Sequence, residues 1–396
     1  MNKKKVVLAY SGGLDTSYCV HHLAHEKSLD VYAVSVNTGG FSSDELKEME
    51  KMAFQLGAYH FDALEAEQDY YQKIIKFLIF GNVLKNNNYP LSVGAERVLQ
   101  AIMLVKYAQH IGADFIAHGS TGAGNDQVRF DVIFQILAPE IRILTPIRDQ
   151  GLSREEEIEY LQNHGIQLNW YKAQYSINTG LWGTSIGGAE TLTSDLPLPE
   201  EAFPVPLRKK NPLPIELHFE QGELNGVDTK KGSSVEMIQY LETIAAPYAI
   251  GRDIHVGDTL IGIKGRVGFA AASALLIIAA HQLLEKHTLS KWQLQHKDYI
   301  GKWYGTHLHE GQYLDPVMRD FEALLASSQQ RVSGSVFITL HPYRFTLDGI
   351  KSDYDLLENT FAHYGETNSA WSANDVKGFI KLLSVPGKLY QSVTHN

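Results

Sequence analysis

Residues 5–10, Lys-Val-Val-Leu-Ala-Tyr, form an apolar, β-favouring run that breaks at Gly12 and Gly13 and gives way to helical spacing over 16–26. The alternation then repeats. Positions 31–36 predict a strand, 44–56 a helix, 60–63 a short strand, 68–80 and 95–110 helices, and 115–117 a strand. Such alternation implies a doubly wound parallel sheet, because each crossover helix lies across the sheet and both faces are then covered. Ser153-Arg154-Glu155-Glu156 has the spacing of a capping box and predicts a helix running to Gln162.

Beyond it the pattern changes. Pro197, Pro199, Pro204, Pro206, Pro212 and Pro214 predict an extended connection, a linker or a wrapping arm. After it come a strand over 215–220, a turn at Asn225-Gly226, a helix over 235–244, strands within 259–267 and a buried helix over 268–280. Segments 336–340 and 343–347 predict a hairpin, and 373–384 a helix with Val376, Phe379, Ile380, Leu382 and Leu383 on its apolar stripe, stopped before Pro386. The fold class is therefore α/β: a doubly wound parallel-sheet domain over 1–165, a second, α+β domain over 166–370, and a C-terminal helical tail over 371–396.

At 396 residues, 44% apolar and 20% charged, the chain is long enough to divide into two cores. A formal charge of −10 argues against nucleic acid gripped through its phosphates. One cysteine, Cys19, excludes an internal disulfide and any CxxC pair, and the apolar stretches are too short for a signal peptide or membrane span, so the cytoplasm is the expected compartment. The 17 histidines contain no HExxH, and His307-x-His309 has no supporting ligand set, so no metal is assigned to the protein itself. Trp292, Tyr299, Trp303 and Tyr304 are expected in the core or a subunit contact.

The strongest local signal is Ala9-Tyr10-Ser11-Gly12-Gly13-Leu14-Asp15-Thr16-Ser17, placed between a strand and a helix start, where backbone amides face an anion. Glycine permits close approach to phosphate, the hydroxyls of Ser11, Thr16 and Ser17 add donors, and Asp15 is suited to orienting a magnesium-bound phosphate or a water in its shell. The spacing is neither that of a Walker loop nor that of a dinucleotide fingerprint. A second glycine-rich stretch, His118-Gly119-Ser120-Thr121-Gly122-Ala123-Gly124-Asn125-Asp126-Gln127-Val128-Arg129-Phe130, also follows a strand. Its polar groups call for a polar ligand to complete their hydrogen bonds.

The first loop resembles the Ser-Gly-Gly-x-Asp-Ser/Thr loop of ATP pyrophosphatases. Together with the second stretch, Tyr175-Ser176-Ile177-Asn178 and Leu181-Trp182-Gly183-Thr184-Ser185, it resembles the argininosuccinate synthase family, in order and spacing. The resemblance implies an adenine nucleotide alpha hydrolase-like first domain, a synthetase second domain and a homotetramer embraced by the C-terminal helix. It also implies a reaction in which the ureido oxygen of citrulline attacks the α phosphorus of ATP, carried with Mg2+, and the aspartate amine then displaces AMP. By that likeness Ala9 to Ser17, Val36 and Gly119 hold ATP, and Thr121, Asn125 and Asp126 take aspartate. Tyr89, Asn125, Arg129, Ser176 and Ser185 face citrulline, Arg97 holds a carboxylate, and Asp15, Asp126 and Arg129 stand closest to the chemistry.

The chain departs from the family's pattern at Val93 and Gly94, where hydroxyls are expected, and at Gly257 and Phe269, where a glutamate and a tyrosine are expected. Loss of that carboxylate and phenol implies a roomier pocket and, as an alternative acceptor, an N-acylated citrulline. A tRNA-thiolating or glutamine-dependent enzyme fits worse, since cysteines and basic surface are lacking and Cys19 falls inside the first helix. A catalytically inactive nucleotide-binding regulator is the remaining alternative.

Overall fold

The computed structural model describes residues 3–166, 175–362, 364–365 and 369–394. The N-terminal unit contains β1 (Lys5–Ala9), α1 (Leu14–His21), β2 (Asp30–Asn37), α2 (Ser43–Gln55), β3 (His60–Glu65), α3 (Glu67–Tyr70), α4 (Lys76–Phe80), α5 (Ser92–Ile111), β4 (Phe115–Ala117), α6 (Asp126–Leu137), β5 (Arg142–Leu144), α7 (Pro146–Gln150) and α8 (Arg154–Asn163). Its five strands are parallel, in the order β3-β2-β1-β4-β5. The chain winds outward from β1 through β2 to β3 and then restarts on the other side with β4. The carboxyl ends of β1 and β4 therefore form a topological switch point, where open α/β sheets bind ligands.

Val6, Val7 and Leu8 on the central strand are fully buried, which requires apolar cover on both faces. Val6, Leu8 and Ala33 face α1, α2 and α8, in a core that includes Leu14, Cys19, Ala53 and Leu161. Val7, Val34 and Val36 face α5 and α6, and that core continues without a break through Leu217, Leu276 and Ile338 of the second unit. The two cores are thus divided by the parallel sheet and not by the proline-rich connection.

The second unit adds β6 (Ser176–Gly180), β7 (Gly183–Gly187), β8 (Leu213–Glu220), β9 (Glu223–Val227), β10 (Lys230–Lys231), α9 (Ser234–Ala245), β11 (Arg252–Asp258), β12 (Lys264–Ala270), α10 (Ala272–Thr288), α11 (Lys291–His309), α12 (Val317–Ser328), β13 (Gly334–His341) and β14 (Arg344–Lys351). They build two antiparallel sheets, β10-β9-β8-β13-β14 and β11-β12-β7-β6. The stretch from Pro197 to Pro212 carries only a short 3-10 turn at Glu200–Ala202 between β7 and β8, while Pro214 falls inside β8, paired with Thr339. The hairpin is β13-β14, as its pattern predicts. Three expectations are corrected. The segment 259–263 is the turn between β11 and β12, closed by a bond from Thr259 N to Ile263 O (2.9 Å being typical, here 2.7 Å). The apolar run from 268 begins as the end of β12, where Leu198 of the proline-rich arm lies so close that Gly268 has no room for a β-carbon, and becomes helical only at Ala272. The tail helix α13 (Ala373–Leu383) is followed at once by α14 (Val385–Thr394), because proline in a first turn loses no hydrogen bond.

Two links fasten the units beside the switch point. Leu181 N donates to Thr38 O (2.9 Å), and the buried Trp182 indole donates to Pro90 O (3.1 Å). Residues 167–174, across the expected domain boundary, lie outside the described residues. No helix among the described residues is long and apolar enough to cross a membrane.

Candidate active site

Between the carboxyl ends of β1, β2 and β4 and the edge strand β6 lies a cavity of about 580 Å³. Its floor is the turn after β1. Gly12 sits at φ +71°, a left-handed conformation that spares only glycine, and a β-carbon there would press Met49 at 3.0 Å. Gly13 precedes α1 and offers no side-chain cap, so the first amides of the helix are free to meet an anion. Thr16 Oγ1 donates to Gly13 O (3.2 Å) and stands 3.3 Å from Ser11 Oγ, holding the hydroxyls together at the rim.

The turn after β4 closes on this floor. A β-carbon at Gly119 would lie 3.2 Å from the Asp15 carbonyl carbon and 3.3 Å from Thr16 Cγ2, so the two loops abut main chain to main chain. His118 Nδ1 accepts from Ser120 N (3.1 Å), which leaves Nε2 to donate to Asp131 (2.9 Å), and Arg148 holds the other Asp131 oxygen (2.7 Å). Gln127 braces the loop from below by donating to Gly122 O and Gly124 O.

Behind the floor, Asp15 faces Glu157 of α8, which is almost fully buried and has one oxygen without a hydrogen-bond partner. Burial raises both carboxyls, their mutual repulsion raises Glu157 further, and Arg154 pulls the other way. Burial also pushes Tyr10 up to about 12.

Arg97 is the hub of the opposite wall. Its Nε meets Asp126 Oδ2 (2.9 Å), Nη1 meets Glu96 Oε1 (3.1 Å) and Gln100 Oε1 (2.8 Å), and Nη2 meets Asn178 Oδ1 on β6 (3.1 Å). Its guanidinium thus fans over four acceptors, and its side chain is only 15% exposed. Burial alone would raise Asp126, yet Arg97 and Arg129 outweigh it and hold that carboxyl below the usual carboxylate range. Glu96 has Thr38 (2.8 Å) and Arg97 as partners, and burial pushes it up to about 7 against the pull of both.

Ala9, Tyr10, Ser11, Gly13, Leu14, Asp15, Thr16, Val36, Gly119, Thr121, Arg97, Asp126 and Ser176 all line the cavity. Gly12 supports the floor from outside it, and Ser17 is buried within α1. The remaining candidates lie deeper and are already engaged. Arg129 donates to His309 O (3.0 Å) and Nδ1 (3.1 Å) and to Asp126 (2.9 Å), while Asn125 Oδ1 accepts from Leu260 N (2.9 Å). Tyr89 packs on His255 and Phe269 with ring centroids 5.0 and 5.3 Å away, and Ser185 is buried on β7 opposite Phe269.

Phe269 is fully buried, and a side chain at Gly257 would meet His255 Nε2 at 2.7 Å. Thr38, Glu96, Gln100 and Arg154 line the cavity but do not stand out in the sequence; the only signal was an acid next to Arg97 inside an apolar helix. Cys19 is fully buried, and burial raises its thiol, which removes it as a nucleophile. Of the aromatic cluster only Tyr304 is buried, and Trp292 and Tyr299 are exposed.

The family model described as "Arginosuccinate synthase N-terminal HUP domain" matches residues 5–167, and that described as "Arginosuccinate synthase C-terminal domain" matches residues 175–390. The chain is 38% identical over 396 residues to the argininosuccinate synthase of Dictyoglomus thermophilum, covering 98% of each. It is 34% identical over 388 residues to that of Methanocaldococcus jannaschii, covering 97% of each. With that of Pyrococcus furiosus it shares 33% over 395 residues, covering 99% of this chain and 95% of the relative.

Proposed function

The chain belongs to the argininosuccinate synthase family, and from that premise we propose that it condenses citrulline with aspartate through a citrullyl adenylate, releasing AMP and pyrophosphate. It is an ATP-dependent ligase. In this reading the uncapped start of α1 and the hydroxyls of Ser11 and Thr16 hold the departing pyrophosphate. Val36 and Gly119 flank the rest of the nucleotide. Magnesium arrives on ATP as part of the substrate, with Asp15 on its side of the cavity. Thr121, Asn125 and Asp126 take aspartate. Tyr89, Arg129, Ser176 and Ser185 serve citrulline, with Arg129 exchanging its bonds to His309 for bonds to the substrate. No protein nucleophile is needed, so catalysis rests on alignment and on donors aimed at the charge developing on phosphorus.

The observation that carries the reading is the contact of the two strand-end loops, Gly119 against Asp15 and Thr16, on a cavity that also holds the Arg97–Asp126 pair. Purified protein given ATP, magnesium, citrulline and aspartate is expected to yield one AMP and one pyrophosphate per ligated product, and nothing without both amino acids. Formation of ADP would overturn the proposal, and binding of ATP without turnover would favour a regulator. Free citrulline is the acceptor proposed, a choice supported by the likeness to the named argininosuccinate synthases, with Phe269 buried and the His255 ring beside Gly257. A higher specificity constant for N-acetylcitrulline would refute that choice.

We place the domain boundaries at 165/166 and 370/371 and propose that α13 and α14 dock on other copies in a homotetramer in the cytoplasm. Phe379, Leu382, Leu383, Leu389 and Val393 of this tail are all more than 60% exposed among the described residues, an apolar face open to a partner. A chain ended at Ser369 is expected to lose the assembly by mass measurement.

A further inference from the structure

Resting on the reaction proposed above, we infer that Glu96 is the general base that takes the proton from the aspartate ammonium as its nitrogen attacks the citrullyl adenylate. The carboxylates of Glu96 and Asp126 stand on either side of one guanidinium and both face the cavity. They are not equivalent. Asp126 shares two arginines, Arg97 Nε on one oxygen and Arg129 Nη1 on the other, each at 2.9 Å. Its charge is fully compensated, so it orients a cationic amine but is a poor proton acceptor. Glu96 has a single cationic partner, through Arg97 Nη1, and its other oxygen takes only the Thr38 hydroxyl.

The wall is shaped around this carboxylate. A β-carbon at residue 180 would overlap Glu96 Oε2, so the glycine on β6 is what leaves room for the acid at the cavity. Glu96 is 2% exposed, on a helix otherwise buried along this face, and a carboxylate in such surroundings needs a role or a proton. The charged and titratable groups near it are Arg97 on its own helix, Asp126 at the start of α6 and Tyr70 of α3, whose hydroxyl is turned to Ser92 O. Burial is the largest of the influences and places Glu96 at about 7, while Asp126 is held low. Two carboxyls driven apart in this way divide the labour of binding and proton transfer.

The step balances without a redox partner. One ammonium proton passes to Glu96, and the freed nitrogen lone pair forms the bond to the ureido carbon. The bond from that carbon to the adenylate oxygen breaks, and AMP departs with the electron pair.

The two half-reactions separate this role from a structural one. Citrulline-dependent exchange of pyrophosphate into ATP, without aspartate, reports adenylation, and ligated product reports the second step. Glu96→Gln is expected to keep the exchange within about threefold while product formation falls about 100-fold or more. Hydroxylamine, whose nitrogen is already neutral at pH 7, should discharge the adenylate equally in both proteins. In the unaltered protein kcat/KM for aspartate should rise through an apparent pKa near 7, and that limb should vanish in Glu96→Gln. In Thr38→Val the limb should move to higher pH, because the hydroxyl favours the ionised acid. Equal loss of exchange and product formation in Glu96→Gln, or full product formation with the limb intact, would overturn the inference. Absence of citrulline-dependent exchange in the unaltered protein would overturn the ligase reading and this inference with it.

Discussion

The proposed nucleotide side of the site and the proposed amino-acid side, which lies deeper than the cavity, are built on opposite plans. The nucleotide side is one continuous stretch, Ala9 to Ser17, whose amides at the start of α1 lack a cap and whose hydroxyls touch one another across the rim. The proposed amino-acid side is assembled from Tyr89, Asn125, Arg129, Ser185, His255 and His309, far apart in the chain, and there Arg129, Asn125 Oδ1 and the Tyr89 ring already have internal partners, while His309 Nε2 has none among the described residues. A site with unsatisfied groups binds by filling them. A site satisfied from within binds only by exchange, which lets it reject a molecule that cannot repay every broken bond.

Arg97 joins the two plans, so its loss is expected to have the largest effect. Arg97→Met leaves Glu96, Asp126 and Asn178 without their common donor. Product formation should fall on the order of 10²–10³-fold, and stability by about 3 kcal/mol, read by steady-state kinetics and denaturant titration. A mild effect on both would mean that the two sides are independent.

Next comes the self-satisfied side. Burial, with Arg129 beside it, pushes His309 down to about 3. The unfolded chain takes up a proton near the ordinary histidine value of ~6.5 while the folded one does not, so between those limits stability falls as pH falls. Between pH 7 and pH 5 the loss from this one group amounts to about 2 kcal/mol. His309→Asn, which retains an acceptor for Arg129 but cannot titrate, is expected to show a smaller drop in melting temperature from pH 7 to pH 5 than the unaltered protein. An unchanged drop would show that His309 is not held neutral by its surroundings.

The smallest of the three effects is expected on the nucleotide side. Gly12→Ala places a β-carbon at φ +71° and against Met49, a strain of about 1 kcal/mol. The KM for ATP should rise by about fivefold with the KM for citrulline unmoved. A parallel rise in both would blur the contrast drawn above.

The same contrast governs what the sequence discloses. The phosphate loop is legible because its chemistry is contiguous and bounded by a strand and a helix start, and β4 falls at the residues its pattern predicts. The amino-acid side is illegible because its partners are tertiary. Nothing in the string of residues pairs His309 with Arg129, 180 positions away. Leu91, held at φ +63° just before α5, carries no glycine or asparagine to announce its left-handed backbone. The turn at 259–263 was hidden by the isoleucines Ile261 and Ile263, apolar residues that are about half exposed in the structure. Glu96 escaped notice because an acid next to an arginine in a helix normally denotes a solvated surface, and only burial reveals otherwise.

The main-chain bond from Leu181 to Thr38 has a thermodynamic consequence. The same peptide that carries Thr38 into the cavity wall is stitched to the second unit, and one apolar core runs beneath both. Neither half can melt without exposing the other's interior, so calorimetry should record a single cooperative transition. ATP, placed by the proposal mainly against the first half, should raise the denaturation temperature of the whole chain.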